Sequence, residues 1–303
     1  MSEIMISNLA GFVDRERISE NVLLKDYTTF KVGGPAKIMI KVNTVKELCD
    51  IIAYLNKCQA AYMIIGNGSN LLVSDEGYDG IVIKLEGDLM KVEAQENVIS
   101  AGAGALLVNV CREALNNSLT GLEFAYGIPG TVGGAIVMNA GAFDGEMSMV
   151  VTGVEAVTKE GEPIYVSPHS LRFGYRRSEV RKTGLTVTKV EFTLKKGDRE
   201  EIENRMNELK NRRVEKQPLE YPSAGSTFKR PEGYFAGKLI SEAGLSGERI
   251  GGACVSPKHN GFIINDAGAT AKDVNDLIEL VKKRVYDTSN VKLEPEVIKV
   301  GRF

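Results

Sequence analysis

GNGSNLLV, at residues 66–73, places a glycine-rich loop directly before a short apolar run. Glycine lets main-chain amides come close to a phosphate and tolerates positive φ, so such loops often cradle phosphate groups. A Rossmann dinucleotide-binding unit needs a third glycine and a helix start where this stretch has Leu71. The run LLV instead predicts a short strand. The stretch therefore disfavours a Rossmann domain and favours a loop between two strands.

A second glycine-rich loop, GIPGTVGG, occupies residues 127–134. Either loop alone is as compatible with a tight turn as with a ligand site, because glycine interrupts all folds. Two such loops, both bounded by apolar runs, shift the balance toward ligand binding.

Hydrophobic periodicity predicts a mixture of helices and strands around these loops. Thr44 and Glu47 have the spacing of a capping box at the start of an amphipathic helix. Strands are predicted on both sides of this helix, as a small βαββ unit, at 37–42, 62–65, 71–73 and 80–85. Further strands are predicted at 98–102, 151–157, 163–166, 185–194 and 296–300, and further helices at 106–117, at 200–213, near Tyr234 and from Thr270 onward.

Composition excludes several classes of protein. The chain has 303 residues and a formal net charge of −2, which argues against a nucleic-acid-binding protein. Cys49, Cys58, Cys111 and Cys254 show neither CxxC nor zinc-site spacing, so buried free thiols, no metal site and a cytoplasmic location are expected. The uncharged stretch at 124–143 contains Pro129 and many glycines, so a transmembrane helix is rejected.

Three polar motifs follow the loops along the chain. They are RFGYRRS at 172–178, SAGSTFKRP at 223–231 and LEPEV at 293–297. By residue type alone, a loop arginine usually solvates a surface, and a serine in a turn usually bonds its own backbone. In combination with the two glycine loops, the set resembles the family of UDP-N-acetylenolpyruvoylglucosamine reductases over nearly the whole chain.

The resemblance implies an α+β fold. It comprises a two-part FAD-binding region of small mixed subdomains, like that of vanillyl-alcohol oxidase, and a C-terminal α+β substrate-binding domain. The expected boundaries are 1–85 and 86–198 for the two FAD-binding subdomains and 199–303 for the substrate-binding domain. The chain resembles the shorter form of the family, because it has no inserted tyrosine-bearing loop in the third domain.

The resemblance also implies FAD as cofactor and NADPH as co-substrate. Neither histidine lies in the glycine loops, so the FAD is expected to be non-covalent. The implied flavin-binding residues are Gly66, Asn67, Gly68, Ser69 and Asn70 in the first loop, Gly127, Gly130, Thr131, Gly133 and Gly134 in the second, and Asn139, Gly141 and Ala142 beyond it.

The implied reaction passes hydride from NADPH through the flavin to C3 of the enolpyruvyl group, so that charge develops on C2 and its carboxylate. Arg176 matches the family's carboxylate-binding arginine, whose planar fork can make two parallel hydrogen bonds. Ser226 matches the proton donor to C2, with Ser223 as the nearby alternative. Glu296 matches the glutamate that stabilises the intermediate, with Glu294 as the chemically plausible alternative.

Contacts to the sugar nucleotide are less specific. Lys229 and Arg230 follow Ser226, and Arg213 ends a charged segment, so these cations are candidates for the phosphates. His259 and Asn260 are candidates for the uracil or the sugar. The expected partners are a UDP-sugar enolpyruvyl ether and NADPH, without nucleic acid or membrane, and the chain is expected to be a monomer.

Two other functions stay open at this point. One is a different flavin oxidoreductase on the same scaffold, which would not need Ser226 as a proton donor to an alkene. The other is a nucleotide-binding regulator without catalytic activity, which the presence of Arg176, Ser226 and Glu296 together disfavours.

Overall fold

Helices and strands alternate irregularly in the computed structural model, which describes residues 2–303. Within that range, the α-helices are α1 (Ser2–Leu9), α2 (Val45–Lys57), α3 (Leu107–Asn116), α4 (Val132–Met138), α5 (Val180–Thr183), α6 (Arg199–Lys216), α7 (Ala236–Glu242) and α8 (Ala271–Ser289).

The strands of the first half are β1 (Ile18–Leu23), β2 (Pro35–Val42), β3 (Tyr62–Ile65), β4 (Leu71–Val73), β5 (Tyr78–Leu85), β6 (Val92–Gln95), β7 (Val98–Gly102), β8 (Leu119–Thr120), β9 (Gly141–Ala142) and β10 (Gly145–Glu146). Those of the second half are β11 (Val151–Val157), β12 (Pro163–Val166), β13 (Thr186–Thr193), β14 (Lys195–Lys196), β15 (Arg249–Ile250), β16 (Ala253–Val255), β17 (Ile263–Asn265) and β18 (Ile298–Val300).

The chain divides into two compact units that interleave along the sequence. Unit 1 contains residues 2–20, 38–67 and 80–211, and unit 2 contains residues 21–37, 68–79 and 212–303. The three-part domain division expected from the sequence stays a prediction.

Unit 1 is built around a five-stranded antiparallel sheet with the order β12-β11-β13-β7-β6. A second sheet has the order β1-β2-β5-β3, in which β3 and β5 run parallel from Tyr62 opposite Ile81 to Ile65 opposite Lys84. Apolar side chains of the helices and sheets form one core, including Ile51 of α2, Val110 of α3 and Phe192 of β13.

Unit 2 has its own core, formed under the long helix α8. The sheet β15-β16-β17 is antiparallel, and the core includes Phe30, Ile240, Val255 and Leu277. The carboxylate of Asp75 accepts hydrogen bonds from the first two amides of α8, Ala271 N at 2.8 Å and Lys272 N at 2.9 Å. A carboxylate at this position satisfies amides that have no partner within the helix.

The predicted βαββ unit is wrong in one strand. Leu71–Val73 forms a strand as predicted, but it pairs in parallel with the C-terminal strand β18 and not with β3 or β5. Short apolar strands carry no information about their partner, so this pairing across more than 220 residues of sequence could not be predicted locally.

The predicted helix starts at Thr44 and Thr270 are both correct, and both are capping boxes in the structure. Thr44 caps α2 and Thr270 caps α8, and in both cases the residue at the third helical position bonds back to the cap. The cysteine prediction is partly wrong. Cys111 and Cys254 are buried, but Cys49 is half-buried and Cys58 is exposed, because Cys58 lies in the turn that ends α2.

The uncharged stretch at 124–143 contains the seven-residue helix α4 with turns on either side. Among residues 2–303, no helix is long and apolar enough to cross a membrane.

Candidate active site

The start of the first glycine loop, Gly66 and Asn67, lies beside the second glycine loop in unit 1. The side-chain amide of Asn67 donates a hydrogen bond to the carbonyl oxygen of Pro129 at 2.7 Å. Gly66 faces Thr131 so closely that a Cβ atom added to it would lie 2.3 Å from the Thr131 hydroxyl oxygen. Position 66 therefore has no room for a side chain, and the close approach of the two loops depends on glycine there.

Gly68, the second glycine of the first loop, belongs to unit 2 and is constrained differently. Its φ is +59°, in the left-handed region, and an added Cβ atom would lie 2.1 Å from the carbonyl oxygen of Tyr27. The loop thus has glycine at two positions where a Cβ atom would clash with a neighbouring segment. Such a main chain can approach a pyrophosphate without steric hindrance from side chains.

The second half of the GIPGTVGG loop is helical, which the sequence analysis did not predict. Thr131 is the N-cap of α4, and its hydroxyl accepts a hydrogen bond from Gly134 N. The amides of Val132 and Gly133 donate to the carbonyls of Ala105 and Ala103, each at 2.8 Å. Gly127 and Gly130 lie in the turn that precedes the helix, and Gly141 and Ala142 form β9 beyond it.

Lys84 lies beside the first loop and was missed in the sequence analysis. Its ammonium donates to the carbonyl oxygen of Gly66 at 3.4 Å, and burial lowers its pKa. The signal was present, because Lys84 is a lone lysine in the otherwise apolar stretch Gly80–Leu85. A half-buried cation next to a glycine loop supplies favourable charge for a bound anion.

Arg176 occupies a strained turn in unit 1. Gly174 N donates to Arg177 O at 3.0 Å and Arg177 N donates to Gly174 O at 3.1 Å, so Tyr175 and Arg176 form a two-residue hairpin loop. The φ of Arg176 is +54°, and its guanidinium carbon lies 5.2 Å from the centre of the Tyr175 ring. Positive φ at a non-glycine residue costs conformational energy, and such strain is common at functional sites.

Ser226 lies in unit 2 with its side chain exposed to solvent. The next residue, Thr227, is fully buried and anchored: its hydroxyl accepts from Ile263 N at 2.9 Å, and its amide donates to Gly261 O at 2.8 Å. Gly225, with a φ of +72°, makes the bend before it. Ser226 is therefore an accessible hydroxyl next to a rigid buried residue.

The alternative serine, Ser223, has different surroundings. It pairs with Ile264 in an isolated antiparallel bridge, and Asn265 N donates to Pro222 O at 2.8 Å. Ser223 thus lies in a short stretch that extends the β17 edge and is partly covered. The difference in exposure supports the choice of Ser226.

Glu296 lies beside the Ser226 segment in unit 2. Its amide donates to Thr227 O at 2.8 Å, and Phe228 pairs with Pro295 in an antiparallel bridge. The amide side chain of Asn70, the last residue of the first loop, donates to Glu296 O at 3.2 Å. The structure therefore brings three sequence-predicted site segments together within unit 2: the end of the first glycine loop, the serine motif and the glutamate motif.

Lys229 and Glu294 form an ion pair at the edge of this pairing, and Lys229 N donates to Glu294 O at 2.9 Å. The Glu294 carboxylate is 70% exposed, so this alternative to Glu296 is engaged with a lysine at the surface. An exposed ion pair of this kind contributes little, about 0–1 kcal/mol, and the lysine can exchange its partner for a ligand anion at small cost.

The other predicted substrate contacts also lie in unit 2. The guanidinium carbon of Arg230 lies 3.9 Å from the centre of the exposed Phe235 ring. His259 packs edge-on against Phe262, and burial lowers the pKa of its imidazole. Its Nδ1 accepts from Gly261 N at 3.2 Å, which leaves the neutral ring with a proton on Nε2 to donate. Asn260 accepts from the Ser246 hydroxyl at 3.1 Å, and Arg213 is half-buried near the end of α6.

No group of three or more His, Cys, Asp or Glu side chains in the described range could hold a metal ion. The bare main chain of the glycine loops, with Lys84 beside Gly66, suits a phosphate-containing organic cofactor.

Two parts of the chain match known protein families. Residues 36–167, a range that contains both glycine loops, match the FAD binding domain family. Residues 217–300 match the C-terminal domain of UDP-N-acetylenolpyruvoylglucosamine reductase, which contains Ser226 and Glu296. The chain therefore contains an FAD-binding domain.

Full-length relatives make the assignment specific. The chain is 50% identical over 97% of its length to the UDP-N-acetylenolpyruvoylglucosamine reductase of Clostridium novyi, covering 95% of that protein. It is 52% identical over 92% of its length to that of Alkaliphilus oremlandii, covering 91% of that protein. The crystal structure of the Thermus caldophilus reductase superposes with a TM-score of 0.82 at 42% identity, covering 93% of this chain and 98% of that one.

The chain belongs to the UDP-N-acetylenolpyruvoylglucosamine reductase family. The predicted resemblance, the α+β fold, the oxidoreductase class and the use of FAD with NADPH are therefore confirmed. The roles of the individual site residues stay predictions.

Proposed function

We propose that this chain reduces the enolpyruvyl ether of UDP-N-acetylglucosamine to UDP-N-acetylmuramate, a step in the synthesis of peptidoglycan precursors, at the expense of NADPH. The observation that carries the proposal is the pairing of the Ser226 segment with the Glu296 segment, anchored by Thr227. This pairing holds a hydroxyl and a carboxylate on adjacent stretches of main chain, which supports a proposal that needs a proton donor and a charged group near one alkene.

FAD fits the residues present. Gly66 and Gly68 have no room for a Cβ atom, so the first loop presents bare main chain to the pyrophosphate. Lys84 adds positive charge beside Gly66, and Thr131 begins the helix of the second loop. When bound, FAD supplies the transfer of hydride from NADPH to the carbon–carbon double bond of the substrate.

The protein's own part in the reaction is to manage charge and protons. Hydride addition at C3 pushes negative charge onto C2 and its carboxylate. The Arg176 guanidinium would bind that carboxylate through two parallel hydrogen bonds and would remain charged throughout the reaction. The exposed hydroxyl of Ser226 would then deliver the proton to C2.

Glu296 and the cations complete the site. Glu296 would stabilise the intermediate through a shared proton or a bridging donor, since a bare carboxylate would repel the developing charge. Lys229, Arg230 and Arg213 are proposed to bind the diphosphate, and His259 and Asn260 to contact the uracil or the sugar. We further propose that the chain acts as a monomer in the cytoplasm, where NADPH and the sugar nucleotide are its partners.

The test separates the two halves of the reaction. Under anaerobic conditions, NADPH should bleach the yellow protein in a stopped-flow instrument, and the enolpyruvyl sugar nucleotide should restore the flavin absorbance. Reduction by NADPH without reoxidation by this substrate would contradict the proposal and favour another flavin oxidoreductase. Acid precipitation should release the flavin into solution, and flavin that stays with the pellet would contradict non-covalent binding.

A further inference from the structure

We propose that Asn139 and Ser178 are positioning residues that hold the Arg176 turn against the end of α4 and so set the location of the Arg176 guanidinium. The inference rests on the carboxylate-binding role proposed above for Arg176. It assigns a function to two buried polar side chains whose contacts are to main chain.

The Arg176 turn needs external support. Arg176 has a φ of +54°, in the left-handed region that is unfavourable for a non-glycine residue. The two main-chain hydrogen bonds between Gly174 and Arg177 close the turn but do not fix where it sits. The turn and its neighbours Phe173 and Ser178 therefore depend on bonds to the rest of unit 1 for their position.

Asn139 provides the first of these bonds. Its side chain is fully buried, with 0% of the residue exposed. The amide nitrogen Nδ2 donates to Gly174 O at 3.2 Å, and Oδ1 accepts from Ser148 N at 3.0 Å. Asn139 also ends α4 with a φ of +43°. One side chain thus links the end of the helix, the loop at Ser148 and the first residue of the arginine turn.

Ser178 provides the second bond, on the other side of the turn. It is 4% exposed, and its hydroxyl donates to Val137 O at 3.1 Å. Both ends of the turn are thereby attached to the last residues of α4, two positions apart. A hydrogen bond on each side prevents the turn from pivoting about a single contact.

The N-terminus of α4 contacts the first glycine loop. The helix begins at Thr131, whose hydroxyl lies in the space that a side chain at Gly66 would fill. A rigid seven-residue helix therefore connects the glycine loops to the arginine turn. Misplacement of a substrate-binding group by about 1 Å can cost on the order of a hundredfold in rate, so this connection can control catalysis without contact with the substrate.

The test uses Asn139→Gly and Ser178→Ala in the flavin-loaded protein. Glycine tolerates the left-handed φ of position 139, so Asn139→Gly removes the amide without adding backbone strain. Ser178→Ala removes only the hydroxyl, and it remains informative if Asn139→Gly fails to fold. Ser170→Ala is the matched control, because Ser170 lies in the preceding turn and bonds only to nearby Ser167 in the contacts described.

We expect reoxidation by the enolpyruvyl substrate to fall by about tenfold in Ser178→Ala, while flavin reduction by NADPH stays near the parent rate, and to fall by up to about a hundredfold in Asn139→Gly. A double-mutant cycle with Arg176→Lys supplies the specific readout. If the hydroxyl acts through Arg176, Ser178→Ala should cost much less in the Arg176→Lys background.

Four results would overturn the inference. One is equal loss in both half-reactions of Ser178→Ala, which indicates a general structural role. Another is full additivity of Ser178→Ala and Arg176→Lys. The third is an Arg176→Lys variant with unchanged reoxidation, which would also refute the role proposed for Arg176. A selective loss in Arg176→Lys, with none in Asn139→Gly or Ser178→Ala, would refute the positioning role alone.

Discussion

Arg176 and Asn139 both have positive φ. Arg176 lies in a two-residue turn, and Asn139 ends helix α4. Arginine has no intrinsic preference for the left-handed region, so the surrounding structure maintains it at position 176. Asparagine is among the residues that tolerate this region best, which suits its place at the end of α4. The left-handed conformation is therefore energetically unfavourable at Arg176, whereas at Asn139 it is the usual way for a helix to end.

Arg176→Lys tests the bidentate contact directly. A lysine ammonium keeps the charge but cannot form two parallel hydrogen bonds with a carboxylate, so reoxidation by substrate should fall by at least about tenfold. Stopped-flow rates for the two half-reactions provide the measurement. Arg177→Lys, in the same turn and with an exposed side chain, is the control and should cost little. Equal damage to both half-reactions would indicate a structural arginine.

Ser226→Ala tests the proton donor. Reoxidation should fall by about 10²–10⁴-fold, the usual loss for a general acid, while NADPH still reduces the flavin at near the parent rate. Ser223→Ala is the matched control, because Ser223 lies in the β-bridge with Ile264 and is expected to have no part in proton transfer. A larger loss in Ser223→Ala than in Ser226→Ala would show that the assignment of the two serines is reversed.

At the scale of elements, the N-terminus of α2 combines a capping box with an ion pair. Glu47 accepts from Asn43 N at 2.8 Å and binds the Arg17 guanidinium through both oxygens, at 2.8 and 2.9 Å. These bonds lower the pKa of Glu47, with the Arg17 hydrogen bond as the largest cause, although burial acts in the opposite direction. Local sequence predicted the cap but not Arg17, which lies 30 residues away.

The lowered pKa predicts a pH-dependent stability. The Glu47 contribution is complete above the unfolded-state pKa of about 4.3 and is lost as the pH falls through the lower folded-state value. Glu47→Gln should therefore destabilise the protein by about 1–3 kcal/mol at pH 7, and the difference from the parent should shrink below about pH 4. Urea unfolding followed by far-UV circular dichroism measures both.

Asp50→Asn is the control for this experiment. Asp50 pairs with Lys46 on the exposed face of the same helix, so its replacement should change stability little at either pH. A Glu47→Gln difference that is constant from pH 7 to pH 3 would contradict the ionised Glu47–Arg17 pair.

On the scale of the whole molecule, the chain builds two cores from interleaved segments. Unit 2 takes in residues 21–37 and 68–79 from the N-terminal half, and its strand β4 depends on β18 at the C-terminus. Hydrogen bonds from Ile298 N to Asn70 O at 2.9 Å and from Ser74 N to Val300 O at 2.8 Å frame this pairing. The end of the chain therefore holds the end of the first glycine loop.

Removal of β18 should lower the thermal stability of the protein more than removal of the two terminal residues alone. Deletion of residues 298–303 removes several main-chain hydrogen bonds, each contributing about 1 kcal/mol, and should lower the melting midpoint by roughly 5–10 °C. Deletion of Arg302 and Phe303 alone, which are exposed and outside the pairing, should change it little. Circular dichroism melting curves compare the two. Equal effects would show that the β4–β18 pairing contributes nothing to stability.

Sequence alone determined the local elements and the chemistry of the motifs. The capping box at Thr44, the helix start at Thr270, the strand at Tyr62–Ile65 and the glycine loops were predictable, because propensity, hydrophobic periodicity and glycine's freedom act over a few residues. The candidate reactive residues were predicted by resemblance, since by residue type alone a surface arginine and a turn serine are the more usual interpretation.

Only the tertiary structure decided which of these pieces meet. The β4–β18 pairing, the half-buried Lys84 beside Gly66, and the bonds of Asn139 and Ser178 to the Arg176 turn and α4 join residues far apart in sequence. Such contacts form because buried polar groups must find hydrogen-bond partners wherever packing brings them together. Packing of this kind depends on the whole chain, so no local pattern could specify it.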